Sequence, residues 1–142
     1  MTLDSAMLAE KVSAVERHLS RIADRLPPRP EDLLPASDAS DTVILHLWQA
    51  VQIVIDLAMS ACVQLKLGAP ATYADAFRVL ATAGQIDRAL ADRLAKAAGF
   101  RNLVVHTYEH LDMARIHAAA KTGPADLREF LAALVRIQRP RG

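Results

Sequence analysis

Apolar residues recur every three or four positions along most of the chain. Leu8, Val12, Val15, Leu19, Ile22 and Leu26 step by four and three, with Glu10, Arg17, Arg21 and Arg25 on other faces. That is the period of an amphipathic helix. Pro27, Pro28 and Pro30 stop it, because proline lacks an amide N–H and bars its predecessor from helical angles. Residues 27–41, PPRPEDLLPASDASD, form a proline-rich connection ending in residues suited to cap a helix. A long apolar helix over 42–67 follows and ends near Gly68 and Pro70. Its polar residues Gln49, Gln52, Asp56, Ser60 and Gln64 fall three and four apart, so they form one stripe. A lipid-facing helix would leave those groups without partners, so this segment is expected to be a buried helix of a bundle and not a membrane span.

Thr72 followed by Asp75 resembles a capping box for a short helix with Tyr73, Ala76, Phe77 and Leu80 inward and Gly84 just past its end. Asp87 can cap a fourth helix that runs through ALADRLAKAAGFRNLVVHTY, and Asp112 a short fifth, MARIHAAAK. Gly123-Pro124 is expected to separate that piece from a last amphipathic helix, ADLREFLAALVRI, which Pro140 closes. Strand alternation and internal repeats are absent from the pattern. The expected architecture is all-α: a single domain over 1–142, an antiparallel bundle of four longer helices with one or two short ones.

Composition narrows the function classes. A chain of 142 residues can bury a core, and few aromatics make that core aliphatic. A net charge of +1 gives no global field for nucleic acid, so any RNA contact must be local or belong to an oligomer. One cysteine, Cys62, excludes an internal disulfide and a cysteine-rich zinc site. It is expected to be a small core residue in a protein of the reducing cytoplasm. The stretch MTLDSAMLAEK carries early acids and no basic start, so no secretory signal is read there.

The stretch RNLVVHTYEH, 101–110, breaks the apolar pattern. Leu90, Leu94, Ala97, Arg101, Val104, Tyr108 and Leu111 step by four and three. Arg101 and Tyr108 thus take positions the pattern would give to apolar residues. A guanidinium there is costly unless it is paired or lines a wet cleft. Asn102, His106 and His110 form a second stripe. His106 lies about 140° around an ideal helix from Arg101, so one straight helix does not aim both at one phosphate. A bend at Gly99 would relieve the mismatch, as would a second copy of the helix across a two-fold axis. Arg-x4-His spacing alone is a weak signal, and a lone helical histidine is more often a surface residue than a catalyst.

The residues GFRNLVVHTY, 99–108, closely resemble the signature of the HepT-type toxins of the HEPN superfamily, Arg-x4-His-x-Tyr with a polar residue after the Arg. The resemblance extends over TYADAFRVLATAGQIDRALADRLAKAAGFRNLVVHTYEHLD, 72–112, and in kind and place over the long helix at 42–67. The first helix and residues 27–41 match only loosely. The resemblance implies a HEPN-type helical bundle and a homodimer with the two motifs facing each other. It also implies a ribonuclease that needs no metal and no other cofactor. The RNA 2′-hydroxyl attacks its own phosphate and leaves a 2′,3′-cyclic phosphate. His106 would move the proton, a histidine's usual task near neutrality, and Arg101 would stabilise the phosphorane. Asn102 would support it by touching a phosphate oxygen or orienting His106. The implied partner is an MntA-type nucleotidyltransferase antitoxin, which silences the toxin by adenylylating Tyr108. The alternative is a non-catalytic helical dimer that serves as a scaffold for such a transferase.

Other marked residues carry two readings each. Asp56 either faces Arg101 and holds it or lines a solvated groove. His110 either assists at the groove mouth or sits on the surface. His18, His46 and His117 lack ligand spacing and are assigned no metal. Arg136, Arg139 and Arg141 either touch RNA phosphates or form a basic tail.

Overall fold

A computed structural model describes residues 4–138, apart from the side chain of Glu109. Five α-helices make up the fold: α1 (Ser5–Arg25), α2 (Asp38–Gln64), α3 (Tyr73–Thr82), α4 (Arg88–Thr107) and α5 (Met113–Gln138). Single 3-10 turns lie at Pro30–Asp32 and Tyr108–His110. The expectation of four longer helices and a short one holds, with α3 as the short one. Within the described residues there is no strand.

Local chemistry sets most of the helix ends. The Asp4 carboxylate accepts from the Met7 amide at 3.0 Å and starts α1. Ser37 and Ser40 form a reciprocal capping box, so α2 begins at Asp38, four residues before the expected start at 42. Thr72 Oγ1 accepts from the Asp75 amide at 3.1 Å. At the other end of α3, Gly84 takes φ +79°. The Gln85 amide returns to the Leu80 carbonyl, and the Gly84 amide to that of Ala81. This double closure needs a left-handed residue, which glycine supplies at low cost. Asp87 stands at the start of α4, but its side chain makes no capping bond.

The last helix departs from the sequence expectation. Gly123 and Pro124 lie inside α5 and do not divide it. Proline disfavours a helical predecessor mainly through a clash with its Cβ, and Gly123 has none. The Ile116, Ala120, Leu127, Phe130, Leu131 and Leu134 stripe continues across the join and is buried throughout. Packing of that one face outweighs the lost hydrogen bond at Pro124.

Cross-links between helices fix their directions. Arg25 pairs with Asp38 across the first connection, and further along His18 meets His46, so α1 and α2 are antiparallel. Arg101 meets Gln52 and Tyr108 meets Asp41, so α4 also runs antiparallel to α2. Arg93 binds Asp126 and Glu129 of α5, and Arg128 of α5 binds Glu16 of α1. Helix α2 packs against all four other helices. It is long and apolar enough to cross a membrane, but half of its most apolar window is buried inside this bundle. Cys62 on α2 is buried against α3, its thiol 3.5 Å from the Ala76 carbonyl. Burial pushes that thiol's pKa up, as expected for a core cysteine.

Three histidines remote from the motif, His18, His46 and His117, have structural partners. His117 is buried, and its Nε2–H donates to the Pro27 carbonyl at 2.7 Å, which ties the proline-rich connection to α5. His18 and His46 face each other with Nδ1 atoms 2.9 Å apart, which requires a proton on one ring and a lone pair on the other. Burial lowers both pKa values from the ordinary 6.5. His46 and Arg17 add to the effect at His18, and Arg21 adds to it at His46. The folded state therefore takes up these protons less readily than the unfolded chain. Stability is whole above the unfolded value and falls as pH drops below it through the folded values. Thermal melts should thus show a fall in Tm from about pH 7.5 to about pH 5. The fall should be smaller when both histidines are replaced by leucine; an equal fall would clear the pair of responsibility.

Candidate active site

Three helices hold Arg101. It lies on the face of α4 turned toward α2, where its Nε–H donates to Gln52 Oε1 at 2.6 Å. One Nη1–H donates to the neighbouring Asn102 Oδ1 at 3.1 Å. The guanidinium carbon lies 5.3 Å from the centre of the Tyr73 ring, at the first turn of α3, in cation–π contact. Behind Gln52, its Nε2–H donates to Asp56 Oδ1 at 2.9 Å, one turn along α2. The guanidinium in the apolar stripe is thus only partly buried and is paired with neutral groups.

Asp56 does not reach Arg101 directly. It is exposed, and it acts on the arginine only through the Gln52 amide. Sequence reading placed Gln52 on the polar stripe without a partner, and it did not connect Tyr73 with Arg101 at all. The signal available for Gln52 was its position one turn before Asp56. For Tyr73 there was none, because the approach of α3 to α4 is a tertiary contact.

His106 lies in the last turn of α4, exposed, with no hydrogen bond among the described residues. Gly99 leaves α4 a continuous α-helix from Arg88 to Thr107. Asn102 points its oxygen at Arg101 and not at His106. Near it in the chain, Leu103 is 38% and Val105 46% exposed, and Leu45 on α2 is 44% exposed. Exposed large apolar side chains of this kind suit a surface for association.

Tyr108 leaves the α-helix. Thr107 takes φ −136° and ψ 32°, and Tyr108 opens a 3-10 turn, whereas the sequence pattern continued α4 through it. The hydroxyl donates to Asp41 Oδ1 at 3.2 Å while the ring is 49% exposed. Burial, then the hydrogen bond and charge of Asp41, raise the phenol pKa, so the hydroxyl keeps its proton at neutral pH. Arg101 and Tyr108 both face α2, but their partners Gln52 and Asp41 are about 16 Å apart along its axis. His110 is exposed at the end of the turn. The Asp112 carboxylate accepts from the Ala114 amide at 2.9 Å, the capping role expected of it. Arg136 is exposed on α5, and Arg139 and Arg141 lie outside the described residues. No cluster of three metal-ligating side chains occurs among the described residues.

Chemically, the arrangement offers an immobilised cation, a titratable ring free in solvent, and a reachable phenol. The chain is similar to known proteins over most of its length. A family model described as Ribonuclease HepT-like matches residues 12–134. The mRNA nuclease HepT of Shewanella oneidensis is 33% identical over 91 residues, 64% of this chain and 68% of that protein. Among solved structures, the tri-AMPylated Shewanella oneidensis HEPN toxin in complex with MNT antitoxin superposes with a TM-score of 0.83. It is 25% identical and is matched over 94% of this chain and 99% of that one. A toxin–antitoxin structure with AMP-PNP also gives 0.83, at 25% identity over 93% of this chain and 99% of its own.

Proposed function

The chain belongs to the HepT-like ribonuclease family, and from that premise we propose that it is the toxin of a type VII-like HepT/MntA toxin–antitoxin module. Its activity is metal-independent cleavage of RNA in the cytoplasm. The single observation that carries the chemistry is the state of Arg101. Its Nε and one Nη1–H are anchored to neutral oxygens, and its charge is not cancelled by any ion pair among the described residues. A fixed, uncancelled guanidinium suits the equatorial oxygens of a phosphorane. His106 takes the 2′-hydroxyl proton as that oxygen attacks phosphorus. The bond to the 5′-oxygen breaks, and a protonated imidazole delivers the proton to that leaving oxygen. Products are a 2′,3′-cyclic phosphate and a 5′-hydroxyl.

The active unit is a homodimer. About 140° separates Arg101 from His106 on an ideal helix, and α4 is one continuous helix across both. A second copy facing the first brings the arginine of one chain toward the histidine of the other, and it covers the exposed Leu45, Leu103 and Val105. The partner is an MntA-type nucleotidyltransferase that adenylylates Tyr108. The relatives solved with such an antitoxin support that reading, as does the exposed phenol.

Mixing inactive Arg101→Ala chains with inactive His106→Ala chains tests the composite site. Cleavage of single-stranded RNA is read in EDTA, with intact mass showing the protein free of adenylate. Half of the redistributed dimers are mixed, and each mixed dimer has one complete site, so recovery of about a quarter of the wild-type rate is expected. Zero recovery places both residues of each site on one chain. Absence of cleavage by unmodified wild-type protein overturns the nuclease assignment in favour of a non-catalytic scaffold.

A further inference from the structure

We propose that Gln52, backed by Asp56, is a positioning residue for Arg101: it fixes the guanidinium plane and leaves the arginine's charge available to the RNA phosphate. The inference rests on the nuclease reading for its kinetic consequence, and on the geometry alone for the positioning itself.

The residue type follows from hydrogen-bond chemistry. Arg101 can only donate, and an ionised Asp56 can only accept. A side chain that joins the two must accept at one end and donate at the other. Glutamine does both, with Oε1 toward Arg101 Nε at 2.6 Å and Nε2 toward Asp56 Oδ1 at 2.9 Å. Asp56 thereby fixes which way the amide points, since the flipped amide would set N–H against N–H and oxygen against carboxylate. Tyr73 closes the opposite constraint by placing its ring under the guanidinium at 5.3 Å. Plane and rotation are both set before any substrate arrives, which is what an electrostatic stabiliser needs.

An amide serves this purpose better than a carboxylate. An acid at position 52 would form a bidentate pair with the guanidinium and cancel the charge that the phosphate requires. The amide holds the Nε edge and keeps the Asp56 carboxylate one side chain away. Asn102 takes one further N–H, and the Nη2 group makes no hydrogen bond among the described residues, so it remains for substrate.

The test uses full-length, unmodified protein with single-stranded RNA in EDTA. Gln52→Ala should lower kcat about 10- to 100-fold with KM changed far less, because a misaimed cation fails in the transition state. Asp56→Ala should lose less, and Asp56→Asn should recover most of that loss, since Asn Oδ1 still accepts from the Gln52 amide. In an Arg101→Lys background, read at single turnover, Gln52→Ala should lower the rate no further. A full additional loss there would show that Gln52 acts on the fold, and the proposal would fall. Nitrogen-15 NMR gives an arm independent of cleavage. The Arg101 Nε–H resonance should be protected from solvent exchange in wild type and lose that protection in Gln52→Ala. An unprotected wild-type signal overturns the positioning whatever the RNA assay shows. Conversely, a protected signal in a protein that cleaves no RNA upholds the positioning and removes only the nuclease reading.

Discussion

Alanine at His106 should lower RNA cleavage by a factor of about 10² to 10⁴, the usual contribution of a positioned acid–base group. The ring is exposed and makes no hydrogen bond among the described residues. Its removal opens no cavity and strands no buried polar group, so stability should stay within about 0.5 kcal/mol of wild type. Arg101→Ala should cost about 10² to 10³ in rate, together with a small loss of stability. It leaves Gln52 Oε1 without its donor and the face of Tyr73 uncovered. Initial rates in EDTA on adenylate-free protein, paired with thermal melts, check both. A His106→Ala chain that cleaves at the wild-type rate removes the histidine from the mechanism. One that fails to fold would contradict the exposure of the ring.

Phenylalanine at Tyr108 should leave cleavage intact and abolish control by the transferase. The wild-type chain, produced with its nucleotidyltransferase, should gain adenylate mass that maps to Tyr108 and lose activity; the variant should gain none there and stay active. In the modification the phenol oxygen bonds to the α-phosphorus of ATP, pyrophosphate leaves, and the phenolic proton is given up. Only the hydroxyl supplies that nucleophile, so the effect on modification is complete. Structurally, Phe keeps the ring and forfeits one exposed hydrogen bond to Asp41, a loss of about 1 kcal/mol at most. Since Gln52 and Asp41 stand about 16 Å apart on α2, the proposed silencing is expected to act through the bulk of the nucleoside and negative charge on the face that carries both residues, and not through a phosphate placed on Arg101 of the same chain. Loss of cleavage along with modification in Tyr108→Phe would instead give the tyrosine a structural or catalytic task.

Much of this was legible from residue order. Apolar steps of three and four gave the helices, and Pro27, Gly84 and Asp112 marked ends that the backbone respects. The motif picked out Arg101, Asn102, His106 and Tyr108, and the separation of Arg101 from His106 around α4 follows from helical geometry alone. Such features depend on interactions within about one turn of chain, so the local sequence contains all the information needed.

Tertiary structure decided the rest. It carried α5 through Gly123 and Pro124, because a continuous buried stripe on one face outweighed a local breaker. It turned Tyr108 out of α4 toward Asp41 and sank His117 against Pro27. Above all, it chose Gln52 and not Asp56 as the group that meets Arg101. Periodicity records which face of a helix is apolar. It does not record the rotation and offset at which two helices pack, and a shift of one residue turns a helix by about 100°, enough to exchange one polar neighbour for another.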